Sequence, residues 1–397
     1  MECENYLSEY PEIDYAIIYL NICDFKQFNE KFGVEQGDEL LRQIWHLLLQ
    51  YLQEEELMCR SNGDHFYLLM KCPEESSVRS RLCEMLDKIK TQLSRQFSFE
   101  QLRFDQGAYV IREQNSDFML LSDRAKVASS YPLGEEQCRF YDDALQQQLE
   151  KEYKLDASFQ SAIKNREFQL YIQPKVCPGT GKVGAGEVLV RWQHPEFGLL
   201  FPGDFIPLFE RNGKICDLDH YVFEESCRLM KRWLAEGYVM SLSVNLSRAH
   251  LISDDFSFLN RFYQIKEEYH IPDDLIELEL TESLMLERRD IHLATALTDR
   301  IREMGFLCSI DDFGFGYSSL TMLKDMNVTT VKLDRQFFLN ESEKSWMVVS
   351  QLIQLTHNLG MVVVAEGIEN HDQVEKLIAC GCDLIQGYYY CLLYTSP

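Results

Sequence analysis

From Phe168 onward, short apolar runs alternate with longer stretches whose apolar residues recur at helical spacing. This alternation predicts buried parallel strands joined by crossover helices. Eight such runs within about 230 residues fit a closed (β/α)8 barrel better than an open sheet. The eight predicted strands are 168–172, 186–190, 240–246, 275–280, 306–310, 329–333, 361–365 and 383–388.

The first part of the chain has a different pattern, which predicts a smaller α/β domain over residues 1–145. A strand is expected at 15–22, followed by one helix whose apolar face includes Phe28, Leu40 and Ile44. A second apolar run at 66–70 precedes a helix at 76–95. Residues 146–165 are polar, contain no proline or glycine, and predict a helical linker leading into the barrel domain of residues 155–391.

Polar residues stand at or near the ends of most predicted strands. In a barrel of this class the carboxyl ends of the strands form the active site, so these side chains are expected to converge. Two adjacent aspartates can serve one site where a strand ends and the backbone turns. The strand-end residues are Glu187, Asn245, Glu279, Glu282, Asp311, Asp312, Lys332, Glu366 and Gln386.

Taken singly, each of these residues has a simpler explanation. Those explanations are an acidic turn for Asp311 and Asp312, an ion pair with Arg191 for Glu187, a helix cap for Asn245, a first-turn helix acid for Glu282, and an ion pair with Asp334 for Lys332. The whole set of residues is harder to explain by a purely structural role, because unpaired buried carboxylates destabilise a fold. A divalent cation bound by carboxylate and amide oxygens would remove that cost.

Charge narrows the classes of ligand. Lys and Arg number 39 against 64 Asp and Glu, a formal net charge of −25, which argues against a nucleic-acid polymer or an anionic membrane as partner. A small nucleotide in a pocket fits better. The 13 cysteines are scattered among apolar neighbours, as expected for reduced core thiols. With neither a long apolar span nor a signal-peptide pattern, we expect a cytoplasmic protein.

The strand ends lie within short motifs that follow one another along the chain. These motifs are Tyr171-Ile172-Gln173-Pro174, Glu187-Val188-Leu189-Val190-Arg191, Asn245-Leu246-Ser247, Glu279-Leu280-Thr281-Glu282, Asp311-Asp312-Phe313-Gly314, Val331-Lys332-Leu333-Asp334, Ala365-Glu366-Gly367 and Gln386-Gly387-Tyr388. In this order, residues 155–391 resemble an EAL domain, the cyclic di-GMP phosphodiesterase fold. Phe315 stands where that family usually has threonine.

The resemblance implies a TIM-like barrel that uses two divalent ions, Mg²⁺ or Mn²⁺, to hydrolyse cyclic di-GMP to linear 5′-pGpG. It also implies a homodimer through the barrel. The implied metal ligands are Glu187, Asn245, Glu279, Asp311, Asp312 and Glu366. The implied catalytic residues are Lys332, Glu366, Glu187 and Glu282, and the implied substrate contacts are Arg191, Gln173, Gln386 and Leu189. The division of water activation among the metal, Glu366 and Lys332 stays open.

Residues 1–145 resemble a GGDEF domain, the diguanylate cyclase fold, with Asn62-Gly63-Asp64-His65-Phe66 at the signature turn. The match is partial, because Asn21 and His65 stand where a cyclase carries metal-binding carboxylates, and both are poor ligands for Mg²⁺. The domain is therefore predicted to be a degenerate one that makes no cyclic di-GMP. GTP binding as a regulatory input remains possible under the resemblance, because three residues match the nucleotide-contacting positions of the family. These residues are Lys26, Asn29 and Asp38.

The leading hypothesis is a phosphodiesterase. The alternative is a non-hydrolysing cyclic di-GMP receptor that acts through partner proteins, although every implied metal ligand and Lys332 are retained. An enzyme with both cyclase and phosphodiesterase activities is disfavoured by Asn21 and His65. Residues 392–397 do not continue the family pattern and are predicted to be an atypical, non-native tail.

Overall fold

The structure is a computed structural model that describes residues 10, 12–94, 102–112, 117–131, 138–252, 256–281, 291–314, 320–339 and 342–390. The chain divides into two compact units, residues 1–151 and 152–397. The predicted domain limits at residues 145 and 155 stay predictions. Within the described part of the chain, every helix is too short or too polar to cross a membrane.

The first unit contains a five-stranded sheet in the order β2-β3-β1-β4-β5. The central strand β1 is antiparallel to β3 and β4, and β5 is parallel to β4. Its strands are β1 Tyr15–Ile22, β2 Leu57–Arg60, β3 His65–Lys71, β4 Phe104–Val110 and β5 Arg139–Phe140. Its helices are α1 Phe25–Phe32, α2 Val34–Tyr51, α3 Glu75–Leu93 and α4 Phe118–Ser129, and α5 follows at Asp143–Asn165.

The prediction of one helix after β1 is wrong, because two helices, α1 and α2, occupy that region. Gly33 separates them with φ +89°, a conformation that ends α1 and that side-chain-bearing residues rarely adopt. Both helices still bury apolar residues, Phe28 on α1 and Leu40 on α2. Hydrophobic periodicity therefore continued across a break that the glycine imposes.

The second unit contains the predicted closed barrel of eight strands. Neighbours run in the order β6-β14-β13-β12-β11-β10-β9-β7, and pairing of β6 with β7 closes the ring. A short strand, β8 Gly198–Leu200, pairs with β7 outside the ring. The barrel strands are β6 Phe168–Cys177, β7 Lys182–His194, β9 Ser241–Asn245, β10 Ile276–Thr281, β11 Leu307–Phe313, β12 Thr330–Leu333, β13 Val362–Ala365 and β14 Leu384–Ile385.

One strand departs from the predicted parallel arrangement: β6 runs antiparallel to both of its neighbours, β7 and β14. The physical reason lies in the connection between β6 and β7, which is the short turn 178–181. A parallel crossover needs a dozen or more residues, so this connection can only form a hairpin. The other ring strands pair in parallel.

Most helices of the second unit follow a strand of the ring. Phe168 at the start of β6 packs against the rings of Trp192 on β7 and Phe205 and Phe209 on the next helix, all of them buried. These aromatic contacts pack the β6–β7 hairpin of the barrel against that helix. The helices are α6 Pro202–Asn212, α7 Ile215–Ala235, α8 Leu259–Tyr269, α9 Ile291–Glu303, α10 Leu320–Asp325, α11 Gln336–Leu339, α12 Glu343–Asn358 and α13 His371–Cys380.

Candidate active site

The strand register brings the predicted site residues onto the inner face of the barrel. Glu187 on β7 pairs with Ser243 on β9, and two residues later Asn245 pairs with Glu279 on β10. Asp311 lies two residues beyond the β11 partner of Glu279. Side chains two positions apart on a strand share a face, and paired residues on neighbouring strands share it too. These acidic and amide groups therefore converge on one region.

Asp311 and Asp312 stand where β11 loses its regular pairing with β12. The register shifts between Ile310 and Phe313, and Asp312 has φ +55°. Gly314 follows with φ +98°, and a Cβ there would lie 2.3 Å from the ring of Phe337. The backbone therefore turns directly after Asp311, which lets two adjacent carboxylates lie near one place.

Lys332 is the centre of the cluster. Its side chain on β12 is 1% exposed, and its Nζ lies 2.8 Å from Glu279 Oε2 and 2.8 Å from Glu366 Oε1. The same atom lies 3.0 Å from Asp311 Oδ1 and 3.3 Å from Glu187 Oε2. One ammonium thus faces four carboxylates. When all four are ionised, the cluster carries excess negative charge.

Amide side chains fix the orientation of Glu187. Gln386 Nε2 donates to Glu187 Oε2 at 2.6 Å and also to Gln173 Oε1 at 2.8 Å. Asn245 Nδ2 donates to the other oxygen, Glu187 Oε1, at 3.1 Å. Both carboxylate oxygens therefore have defined partners, and the carboxylate plane is held between β9 and the end of β14.

Three carboxylates form a group suited to a divalent cation. One oxygen from each of Asp311, Asp312 and Glu366 lies within 4.8 Å of the others. Carboxylate oxygens are the ligands that Mg²⁺ and Mn²⁺ prefer. The excess negative charge around Lys332 gives a further reason for a cation here. The residues present therefore fit a divalent metal.

The acids of the cluster are perturbed in opposite directions. Burial raises the pKa of Glu366 to about 8, an effect that the charge of Lys332 opposes and the carboxylate of Asp311 reinforces. Burial likewise raises the pKa of Asp311 to about 6. Burial alone would raise the pKa of Glu279, but the charges of Lys175 and Lys332 outweigh it and lower that pKa to about 2. As the pH falls, Glu366 therefore takes up a proton first and Asp311 at lower pH, while Glu279 stays ionised.

The cluster opens into a cavity of about 340 Å³. Arg191 lies on its wall, donates from Nη1 to the carbonyl of Val190 at 2.8 Å, and stacks against Tyr171 and Phe201. The predicted substrate contacts all line this cavity: Arg191, Gln173, Gln386 and Leu189. It is also lined by residues that were not predicted as site residues, Arg335, Glu369 and Tyr388.

Sequence reasoning missed Lys175 and Glu277. Lys175 on β6 is 1% exposed, and its Nζ lies 2.9 Å from Glu279 Oε1 and 3.2 Å from Glu277 Oε2. A signal was present in the sequence, since Glu277 and Glu279 alternate on an apolar strand and both must point inward. Two inward carboxylates on one strand require a cation nearby.

In the first unit, Asn21 and His65, the two positions at which the resemblance implies metal-binding carboxylates in a cyclase, lie side by side. Asn21 on β1 pairs in register with His65 on β3 and Asp105 on β4. Asn21 Nδ2 donates to Asp105 Oδ2 at 3.2 Å, and His65 Nδ1 lies 2.6 Å from the hydroxyl of Tyr19. Asp105, which sequence reasoning missed, places a carboxylate beside Asn21.

The three predicted GTP contacts of the first unit have different surroundings. Lys26 and Asp38 are exposed. Lys26 lies 4.0 Å from Glu30 Oε1. Asn29 Oδ1 lies against Gly37, where a Cβ would approach it to 1.9 Å. Glu282, Phe315 and the tail 392–397 lie outside the described residues.

Comparison with known protein families agrees with this organisation. A family model described as "EAL domain" matches residues 156–392. A second, described as "Diguanylate cyclase, GGDEF domain", matches residues 5–130. The two domains therefore stand in tandem.

Among characterised relatives, the "Bifunctional diguanylate cyclase/cyclic di-GMP phosphodiesterase MucR" of Pseudomonas aeruginosa is 29% identical over 379 residues, which cover 94% of this chain and 55% of MucR. The "Cyclic di-GMP phosphodiesterase PdeR" of Escherichia coli is 27% identical over 94% of this chain and 57% of PdeR. The chain thus spans about half the length of these curated relatives.

Solved structures match the barrel as well. The structure described as "PaMucR Phosphodiesterase, c-di-GMP complex" is 33% identical, has a TM-score of 0.56, and covers 60% of this chain and 96% of that chain. The chain belongs to the EAL domain family, with a GGDEF domain preceding its barrel.

Proposed function

We propose that the barrel is a metal-dependent phosphodiesterase that hydrolyses cyclic di-GMP to linear 5′-pGpG. The observation that carries this proposal is the arrangement of Glu187, Glu279, Asp311 and Glu366 around the single ammonium of Lys332. Even with Lys175 as a further cation beside Glu279, four acids around Lys332 would be a costly structural device, because uncompensated buried charge destabilises a fold. The same arrangement is suited to two divalent cations.

The metal ligands in this proposal are those implied by the sequence, and Mg²⁺ or Mn²⁺ is the ion. When bound, the ions would activate a water molecule and neutralise charge that develops on the phosphodiester. Asp311, Asp312 and Glu366 form the group whose oxygens lie within 4.8 Å of one another. The other proposed ligands are Glu187, Asn245 and Glu279.

In this proposal Glu366, which is also a metal ligand, and the neighbouring Lys332 handle the proton of the attacking water. Glu366 Oε1 lies 2.8 Å from Lys332 Nζ, so both groups are within reach of one small molecule at the mouth of the cluster. Water attacks phosphorus, the bond from phosphorus to the 3′ oxygen breaks, and the leaving oxygen gains a proton. We propose that Glu366 and Lys332 share this proton transfer. Glu187 is held in place for it by Gln386 and Asn245.

The cavity walls supply the substrate contacts. Arg191 offers a planar fork that matches phosphate oxygens, and its stacking on Tyr171 and Phe201 limits its movement. Gln173 and Gln386, joined at 2.8 Å, offer amide groups on the same wall, and Leu189 offers apolar surface for a base. Relatives described as cyclic di-GMP phosphodiesterases support this choice of substrate.

We further propose that the first domain makes no cyclic di-GMP and takes GTP as a regulatory ligand through Asn29, Asp38 and Lys26. The substitution of carboxylates by Asn21 and His65 supports the loss of synthesis. We also propose a homodimer through the barrel, which light scattering of the purified chain would test by its mass.

The experiment pairs turnover with binding. The chain is incubated with cyclic di-GMP and Mn²⁺, and the linear dinucleotide is quantified by chromatography, while calorimetry with Ca²⁺ in place of Mn²⁺ measures binding. Wild type should bind and convert the nucleotide, and Glu187→Gln should bind but convert it at least about a hundredfold more slowly. Tight binding without turnover in wild type would establish the receptor instead.

A further inference from the structure

A buried pair of side chains, Asp219 and His250, lies on the helix side of β9. Asp219 is on α7, and His250 is on a short 3₁₀ helix, Arg248–Ile252. Nε2 of His250 donates to Asp219 Oδ2 at 3.1 Å, since a carboxylate only accepts hydrogen bonds. The same oxygen accepts the backbone N–H of Ser247 at 3.1 Å. These two donors compensate a carboxylate whose side chain is only 12% exposed.

The Asp219 carboxylate thereby holds the segment that carries Asn245. Asn245 is the last residue of β9, and Ser247 stands two positions beyond it. On the inner side of the barrel, Asn245 Nδ2 donates to Glu187 Oε1 at 3.1 Å. On the helix side, the N–H of Ser247 is held by Asp219, and its carbonyl accepts the N–H of His250 at 3.2 Å. The strand end is therefore fixed from both sides.

Hydrogen bonds matter here because packing is incomplete around this segment. Leu246 is 3% exposed and packs into the core, whereas Asn245 is exposed. A second cavity, of about 420 Å³, is lined by residues of β7, β9, α6 and α7 and by each residue from 244 to 248. Since a cavity withholds contacts that would otherwise restrain its lining, the bonds to Asp219 contribute more to the path of the backbone.

Both members of the pair are themselves held firmly. The ring of His250 is 2% exposed and packs against Phe258 and Phe262, with ring centroids 5.2 and 5.4 Å apart. Asp219 follows the buried Leu218 on α7. Burial raises the pKa of Asp219, an effect that the hydrogen bond from His250 opposes. The packing of the histidine ring and its hydrogen bond can thus be separated by substitution.

We propose that His250 and Asp219 are positioning residues for Asn245. His250 orients the Asp219 carboxylate, which fixes the backbone of Ser247. The amide of Asn245 is thereby directed at Glu187 and at the proposed metal. This inference rests on the proposed function, because it takes Asn245 as a metal ligand. Groups that orient a ligand from behind contribute to metal affinity without touching the ion.

The test measures Mg²⁺ affinity by calorimetry with MgCl₂ in the absence of nucleotide. His250→Phe keeps an aromatic ring between Phe258 and Phe262 and removes the donor. Asp219→Leu removes the acceptor, whereas Asp219→Asn keeps an oxygen that can accept both hydrogen bonds. We expect the first two variants to bind Mg²⁺ about tenfold more weakly than wild type, and Asp219→Asn to stay within about threefold.

A matched control separates positioning from loss of stability. His194 on β7 is another buried histidine, and its Nε2 lies 3.1 Å from the hydroxyl of Ser158 on α5. His194→Phe should lower the midpoint of thermal unfolding and leave Mg²⁺ affinity unchanged. Thermal unfolding with chelator reports which variants fold, and Asp219→Leu gives an independent disruption of the pair should His250→Phe not fold.

Turnover supplies a second readout. Hydrolysis of cyclic di-GMP by His250→Phe should fall at low Mg²⁺ and return to within about threefold of wild type at saturating Mg²⁺, because the ligands themselves are retained. A role confined to stability would show no such rescue by the metal.

Unchanged Mg²⁺ affinity in folded His250→Phe would overturn the proposal, as would an equal loss in His194→Phe or Asp219→Asn, or a wild-type chain that binds no Mg²⁺. Weakened Mg²⁺ binding in variants of a chain that leaves cyclic di-GMP intact would support the positioning role and refute the proposed enzyme. Turnover by wild type with unchanged affinities in the variants would do the reverse.

Discussion

Replacing Lys332 by methionine tests the electrostatic design of the site. Methionine keeps an unbranched side chain of similar length and removes the ammonium that, within the described part of the chain, faces Glu187, Asp311 and Glu366 together. Without divalent ions, those carboxylates would then be left without their common positive partner. The barrel should become less stable for reasons of charge and not of packing.

The expected size follows from the contacts. Lys332 is 1% exposed and lies between 2.8 and 3.3 Å from four carboxylate oxygens. Removing one partner from a buried ion pair costs about 3–5 kcal/mol, because a buried charge is left uncompensated. Protonation of the remaining acids relieves part of that cost, so the loss should be near this range at pH 8 and smaller at pH 5.5. Saturating Mg²⁺ should also reduce it.

Urea unfolding followed by tryptophan fluorescence measures the loss, since Trp192, Trp233 and Trp346 lie in the barrel unit and Trp45 in the other. The matched control is Lys344→Met on an exposed position of α12, which should change stability by no more than about 0.5 kcal/mol. If Lys332→Met unfolded at the wild-type urea concentration at pH 8 with chelator, or lost the same stability at both pH values, the reasoning would be refuted.

Three further predictions concern the metal ligands, the turn and the first domain. Glu366 has a pKa raised to about 8 and Asp311 one raised to about 6, so the metal-free native state binds more protons than the unfolded state between about pH 4 and pH 8. The stability of the metal-free protein should therefore fall as pH rises across that window, whereas its affinity for Mg²⁺ should increase. Thermal unfolding with and without Mg²⁺ measures both trends. Gly314→Ala should weaken Mg²⁺ binding in calorimetry, because its Cβ would strike Phe337, whereas Gly360→Ala, with φ +79° and open space, should not. Incubation of the chain with GTP and Mg²⁺ should yield no cyclic di-GMP, and detection of that product would contradict the assignment of Asn21 and His65 as disabling substitutions.

Much of the barrel was predictable because its strands are short, apolar and evenly spaced. Most of the polar residues near strand ends could also be placed, since the carboxyl ends of parallel strands meet at one rim, although Glu187 lies within β7 and not at its end. That reasoning needs only the sequence order of Asn245, Glu279 and Asp311 and the rule that neighbouring strands align. The eight predicted runs accordingly correspond to the eight strands of the ring.

The parts that escaped prediction depend on contacts across the interior or on local breaks. Lys175 on β6 meets Glu279 on β10 across the barrel interior, a contact that no local sequence pattern encodes. The antiparallel direction of β6 could have been predicted from the short turn 178–181, which has too few residues to form a crossover helix. Apolar residues continue at helical spacing on both sides of Gly33, so a prediction based on periodicity alone merged α1 and α2 into one helix.

The most direct test of the central claim is hydrolysis of cyclic di-GMP in water enriched in ¹⁸O, with Mn²⁺ present, followed by mass spectrometry of the product. Attack of water on phosphorus should give 5′-pGpG that carries one ¹⁸O on its terminal phosphate, and Asp312→Asn should give little or none of it. Intact cyclic di-GMP after prolonged incubation with the wild-type chain, or full activity of Asp312→Asn, would contradict the account.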